Sequence, residues 1–213
     1  MYLLRKNIII KPYICIVRNK PLVICRYLTN HTILNTINIL PSINSNMYKE
    51  YNNRKIKQIC FYTEYKKSFI YKEYHINGEL KTICNYIDDK KNGMYKEYHI
   101  NGRLKTICNY IDDKKNGMYK EYYMNQKLYI VCNYINNMID GEYKSYYDNE
   151  KLAIICNYID NMKNGELKRY HMNGKLWCIY NYIDGKINGC YKEYNRNGIL
   201  IKECNYIMDK LIS

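Results

Sequence analysis

From Tyr71 onward the chain repeats one pattern of apolar and polar positions. The unit Met94 to Gly117 reads MYKEYHINGRLKTICNYIDDKKNG: two short segments rich in Tyr, Ile and Thr, separated by Asn101-Gly102 and closed by Asn116-Gly117. Residues of this kind between turn signals predict strands. Asn-Gly between them predicts a tight hairpin, because both residues tolerate positive φ. Where Gly is missing, at Asn125-Gln126 and Asn149-Glu150, Asn is expected to take the left-handed conformation. The six residues Asp112 to Gly117 read as the second turn. No stretch has the i, i+3, i+4 apolar spacing of a helix.

The columns recur every 24 residues: Lys72, Lys96, Lys120, Lys144, Lys168 and Lys192; then Tyr74, Tyr98, Tyr122, Tyr146, Tyr170 and Tyr194. Leu167 fills the place of a Tyr in the column of Tyr71, Tyr95, Tyr119, Tyr143 and Tyr191. A worn copy starts at Tyr48. The expectation is an all-β chain: an extended single-layer antiparallel sheet of tandem hairpins, with a short basic segment over residues 1–47. Seven repeats follow, over 48–70, 71–94, 95–118, 119–142, 143–166, 167–190 and 191–213. With strands about 4.8 Å apart, equivalent residues in successive repeats lie roughly 9 to 10 Å from each other, and seven units span on the order of 65 Å.

Composition changes this picture in two places. Of 213 residues 28 are Tyr, with only 2 Phe and 1 Trp, which favours half-buried strands whose hydroxyls reach water. Lys and Arg number 34 against 20 Asp and Glu, a net charge of +14. The first 47 residues carry no acid, and their apolar runs Ile8 to Ile10 and Leu22 to Cys25 are far shorter than the roughly 20 residues a membrane helix needs. Lys11 and Pro12 cut the first run below the length of a secretory signal. The segment is expected to cap the first repeat, with a basic targeting arm as the other reading. Exposed terminal strands would allow self-association through the sheet ends.

The ten Cys do not imply disulfides. Cys60, Cys84, Cys108, Cys132, Cys156 and Cys204 form one repeat column, broken by Tyr180, and the repeat spacing exceeds the 4.4 to 6.8 Å between Cα atoms that a disulfide requires. The same spacing defeats a shared metal, and there is no CxxC pair, so no metal or cofactor is expected. Small buried thiols in a reducing, intracellular compartment fit better. His75, His99 and His171 share a column with Tyr123, Tyr147 and Asn195 and read as surface strand residues. Asp88, Asp112, Asp160 and Asp184 read as turn residues bonding their own backbone two positions on. Glu73, Glu97, Glu121 and Glu193 fall on the strand face opposite the lysines and read as solvated charges. A repeat column is not a unique catalytic constellation, and no Walker loop, GxSxG or HExxH occurs, so the chain is expected not to be an enzyme.

The six lysines form a positive stripe spaced near one Debye length of about 8 Å, and with the six tyrosines of the column two residues on they are the candidate partner-binding residues. A protein partner is the leading expectation and an anionic membrane surface the second. Nucleic acid ranks lowest, because a one-layer ribbon offers no groove.

The pattern Tyr-Lys-Glu-Tyr-x-x-Asn-Gly-x-Leu-Lys, then Asn-Tyr and a second Asn-Gly, resembles the MORN repeat in the variant form of bacterial antitoxin-like proteins and of giant DNA virus proteins. The residues that carry the resemblance include Tyr95, Tyr98, Asn101, Gly102, Leu104, Tyr110 and Gly117, and it covers about three quarters of the chain. The commoner MORN pattern has more Gly and Trp on the first strand. The resemblance implies a sheet of stacked hairpins that binds or scaffolds, with no enzyme activity; antagonism of a partner enzyme or toxin is a further implication. Heavy use of Asn, Ile, Lys and Tyr fits an AT-rich genome such as those viruses have, which would place the chain in a host cytoplasm.

Overall fold

A computed structural model describes residues 13–17, 20–24, 45–52, 55–63 and 68–212. The chain divides into two compact units, Met1–Asn46 and Met47–Ser213. The first contains an antiparallel pair, β1 (Tyr13–Val17) and β2 (Lys20–Ile24), with Tyr13 opposite Ile24. The expected capping role of the N-terminal segment falls largely outside the described residues.

The second unit carries an 18-stranded sheet with antiparallel pairing between sequence neighbours. The worn copy supplies β3 (Ser45–Asn52) and β4 (Lys55–Thr63). The outgoing strands, which bear Tyr-Lys-Glu-Tyr or its variants, are β5 (Ser68–Tyr74), β7 (Lys90–Tyr98), β10 (Gly117–Tyr122), β13 (Gly141–Tyr146), β15 (Met162–Tyr170) and β18 (Gly189–Tyr194). The returning strands are β6 (Leu80–Ile87), β8 (Leu104–Ile111), β11 (Leu128–Ile135), β14 (Leu152–Ile159), β16 (Leu176–Ile183) and β19 (Leu200–Ile207). Two-residue strands β9 (Lys114–Lys115), β12 (Met138–Ile139), β17 (Lys186–Ile187) and β20 (Lys210–Leu211) precede or extend the pattern after the turns. Each interior returning strand pairs on both sides: Ile107 in β8 faces Lys96 in β7 and Lys120 in β10.

The turns correct the sequence reading in an informative way. At Asn101-Gly102 only Gly102 has positive φ, +76°. The Gly102 amide donates to the His99 carbonyl at 2.9 Å, the His99 amide donates to the Arg103 carbonyl at 2.8 Å, and Asn101 Oδ1 accepts from the Arg103 amide at 3.1 Å. This is a type I turn closed by a left-handed residue, the usual three-residue hairpin loop. In the copies without Gly, the left-handed residues are therefore Gln126 (φ 73°) and Glu150 (φ 67°), not the preceding Asn. The tight two-residue turns lie instead at Asp88-Asp89, Asp112-Asp113 and their equivalents, where both residues have positive φ and Ile111 faces Lys114 across the turn.

The second Asn-Gly is not part of a turn. Asn116 and Gly117 sit between the Tyr110–Lys115 pair and the Ile107–Lys120 pair, a two-residue bulge in the outgoing strand. The Asn116 amide donates to the Asn109 carbonyl at 2.9 Å, and Gly117 takes φ +86°. Inserting two residues keeps the alternation of faces intact on either side.

One face of this single layer holds the core. Tyr71, Cys84, Tyr95 and Cys108 are successive register partners, so cysteines alternate with tyrosines across the sheet. The thiols are 2 to 7% exposed from Cys84 to Cys204 along the column. Within the described residues of this unit, tyrosine rings cover them. Tyr95 and Tyr110 meet edge to face at 5.5 Å, as do Tyr119 and Tyr134 at 5.5 Å and Tyr143 and Tyr158 at 5.8 Å. Lys91 lies 5.3 and 5.2 Å from the Tyr95 and Tyr110 ring centres, and Lys115 lies 4.8 and 4.9 Å from those of Tyr119 and Tyr134. Lysine stems and ring faces thus act as the missing layer. The two exceptions in the columns, Leu167 and Tyr180, are register partners. The aromatic has crossed to the adjacent strand, and Leu167, 1% exposed, fills the space it left.

Candidate lysine and aliphatic binding face

Residues one apart on a strand point to opposite faces, so the lysine column lies on the face away from Cys and the tyrosine cover. Register pairing makes that column a continuous row across the sheet. Lys72 faces Ile83, Ile83 faces Lys96, Lys96 faces Ile107, and Ile107 faces Lys120. The row continues through Val131, Lys144, Ile155, Lys168, Ile179 and Lys192 to Glu203. Branched aliphatic residues therefore separate the lysines, an alternation that the sequence period alone does not reveal because it needs the inter-repeat register.

Tyr74, Tyr98, Tyr122, Tyr146, Tyr170 and Tyr194 stand two residues beyond each lysine, on the same face, opposite Leu80, Leu104, Leu128, Leu152, Leu176 and Leu200. The fold thus brings the six lysines and six tyrosines singled out in the sequence onto one face. All twelve are half-buried. Two further rows on this face escaped the sequence reading. Ile70, Met94 and Met118 precede the first three lysines by two residues and are 41, 53 and 61% exposed. Ile87, Ile111, Ile135, Ile159, Ile183 and Ile207 form an exposed row near the hairpin turns. Both were present as repeat columns, and alternation from the lysines would have placed them.

The acids and histidines divide differently from expectation. Glu73 and Glu97 are not free solvated charges: they pair with Lys81 at 2.9 Å and Lys105 at 2.8 Å on the tyrosine face. Glu121 and Glu193 accept from the Tyr119 and Tyr191 hydroxyls at 2.9 and 3.0 Å. The histidines are loop residues, not strand residues. His75, His99 and His171 each place Nε2 about one hydrogen bond from the carbonyl of the next repeat, on Tyr98, Tyr122 and Tyr194 at 3.0, 3.0 and 2.9 Å. Tyr123 and Tyr147 do the same through their hydroxyls, donating to Tyr146 at 2.8 Å and Tyr170 at 2.6 Å. The second residue of each tight turn also reaches across: Asp113 accepts from the Lys91 amide at 2.8 Å and Asn137 from the Lys115 amide at 2.6 Å. These columns are repeat-to-repeat clasps.

Burial raises the thiols of Cys132 and Cys178 from the usual 9.0 to about 11, so they stay protonated and unreactive at neutral pH. The hydroxyls of Tyr110, Tyr143 and Tyr158 are pushed up to about 12, chiefly by burial. Lys144 and Lys168 are raised by hydrogen bonds to Glu142 and Glu166, and Lys192 by one to Glu203. Among the described residues no cluster of three metal-ligating side chains occurs, and no helix is long and apolar enough to cross a membrane. A shallow recess of about 280 Å³ lies against Glu142, Ile155, Glu166, Lys168 and Tyr170 on the lysine face.

The family model described as the MORN repeat variant matches three consecutive segments, residues 139–160, 163–184 and 187–208. Each match spans one outgoing strand, its three-residue loop and one returning strand. Comparison with curated proteins gives no match. The units upstream, from Ser68 to Ile135, share the register of the matched ones. Residues 139–160, 163–184 and 187–208 are thus similar to tandem MORN repeat variants, a non-catalytic repeat module generally used to bind proteins or membrane lipids.

Proposed function

We propose that the chain is a non-catalytic scaffold that binds another protein through the lysine-bearing face of its sheet. The observation that supports this reading best is the row in which lysines alternate with half-buried Ile and Val, bordered by exposed Met and Ile. Cations interleaved with contiguous apolar area suit a partner that offers both apolar and acidic groups.

Attachment to anionic lipid is the second reading, favoured by the lysine row itself. Against it, Glu142, Glu166 and Glu203 stand beside Lys144, Lys168 and Lys192 and offset half of the charge that adsorption would draw on. Antagonism of a toxin or enzyme is a special case of protein binding at this face and rests on the resemblance to antitoxin-like proteins.

Photo-crosslinking tests the reading. A benzophenone amino acid at Met94, Met118 or Ile111 should give discrete protein adducts in the native cell extract. The same group at Tyr129 or Trp177, exposed on the other face, should give none. Adducts from both faces alike, or only from the tyrosine face, would overturn it. Sedimentation with anionic vesicles separates the lipid reading, under which binding falls stepwise as lysines of the row are changed to Gln.

A further inference from the structure

The lysine face is electrically uneven along its length. Between Ser68 and Ile135 the strand positions on that face include Lys72, Lys90, Lys96, Lys114 and Lys120 and no carboxylate. Asp88, Asp89, Asp112 and Asp113 lie beyond them, at the hairpin tips, where Asp113 is already bonded to the Lys91 amide. From Met138 to Ile207 the same face carries three glutamates, each against a row lysine: Glu142 with Lys144 at 2.6 Å, Glu166 with Lys168, and Glu203 with Lys192 at 3.2 Å. The position two residues before the lysine makes the difference. It is Ile70, Met94 and Met118 in one half, and Glu142 and Glu166 in the other. Lys96 and Lys120 make no ion pair among the described residues. Met94 and Met118 beside them are more than half exposed.

We infer that the half of the face between Ser68 and Ile135 is the docking site, and that its occupant is an acidic polypeptide segment with apolar anchors. This rests on the protein-binding reading above and narrows it. Charge complementarity argues for the acidic character: Lys96 and Lys120, with no ion pair among the described residues and on a surface without carboxylates, attract carboxylates and give up no internal ion-pair partner when they bind. Exposed methionines between half-buried aliphatic residues argue for the apolar anchors, since flexible thioethers fit varied side chains. Lys96 and Lys120 stand two strands apart, about 10 Å. Carboxylates match that interval on one side of a segment when they are three residues apart in a polyproline II conformation or seven apart in a helix. The glutamates of the other half would repel such a segment and fix where along the sheet it docks.

The test uses the full chain and a fluorescent synthetic peptide with Glu at every third position and Leu or Val between. A peptide with Gln for Glu and vesicles of mixed neutral and anionic lipid serve as the other probes. The double variant Lys96→Gln/Lys120→Gln should bind the acidic peptide roughly five- to tenfold more weakly than the parent chain. Lys144→Gln/Lys168→Gln should stay within about twofold, because those lysines are already paired. Neither change removes a core contact, and an unchanged strand spectrum in circular dichroism confirms that each variant folds. Equal loss in the two variants, no loss in either, or binding of anionic vesicles without binding of the peptide would overturn the inference. Photo-crosslinks confined to the lysine face but arising from its 142–203 half would sink this inference while leaving the protein-binding reading intact.

Discussion

At the residue scale, two side chains work against their own backbone. Gln126 and Glu150 hold φ of 73° and 67° where other copies have Gly, and a residue with a Cβ in that region costs about 1 kcal/mol or more. Gln126→Gly and Glu150→Gly should each raise stability by about 0.5 kcal/mol in urea unfolding, the gain being trimmed by the greater freedom of Gly in the unfolded chain. Loss of stability at either position would show that the loop depends on the side chain, for instance the Gln126 bond to the Leu104 carbonyl at 3.1 Å. Leu167 presents the opposite case. It sits where Tyr stands in other repeats because its partner Tyr180 supplies the ring, and Leu167→Ala should cost about 3 kcal/mol through the cavity left behind. The sequence made both exceptions visible as broken columns. Their compensation was hidden, because positions 167 and 180 meet only through strand register.

At the element scale, the hairpins were legible and their turns were not. The alternation of Tyr-rich and Ile-rich segments placed the strands, since half-buried pleated surfaces select those side chains. Asn-Gly misled, because the same dipeptide closes a three-residue loop at Asn101-Gly102 and forms a bulge at Asn116-Gly117. Which of the two it makes depends on the hydrogen bonds of the neighbouring strand. The loop column of His and Tyr shows a similar limit: its tolerance of either side chain looked like surface drift, yet both are donors of similar reach that clasp the next repeat. Tyr147→Phe removes one clasp and should cost about 1 kcal/mol, read as a lowered urea midpoint with unchanged slope.

Alkaline pH acts on the cysteine and tyrosine columns together. Their folded pKa values lie above the unfolded ones, about 11 against 9.0 for Cys132 and Cys178 and about 12 against 10.0 for Tyr110 and Tyr143. The folded state therefore holds protons that the unfolded state releases. The contribution is complete below about pH 9 and is lost as pH rises through 11 to 12. Urea midpoints should be flat from neutrality to about pH 9 and fall steeply above it. A flat profile through pH 11 would mean that the thiols and phenols are not buried as described.

At the scale of the whole molecule, the repeat sheet is one-dimensional: each repeat touches its neighbours through register pairs and clasps. Stability in such arrays is close to a sum of repeat and interface contributions. Deleting residues 119–142, one complete period, should leave a folded and shorter sheet, with a smaller dependence on urea. Deleting residues 119–130, half a period, fuses the start of outgoing β10 to the end of its antiparallel partner β11 and should abolish cooperative unfolding. The period and the sheet were readable from sequence because every repeat restates them. The uneven charge of the lysine face was not, since it depends on which residues share a face and which lysines already have partners.

Lysine acetylation footprinting by mass spectrometry, comparing the native complex with the free chain, addresses the binding face most directly. Protein binding through that face predicts protection of Lys96 and Lys120 above all, with Lys127, Lys151 and Lys175 at the loop edge labelled equally in both states. Uniform labelling of the lysine row in the complex, or protection confined to the loop edge and tyrosine face, would contradict it.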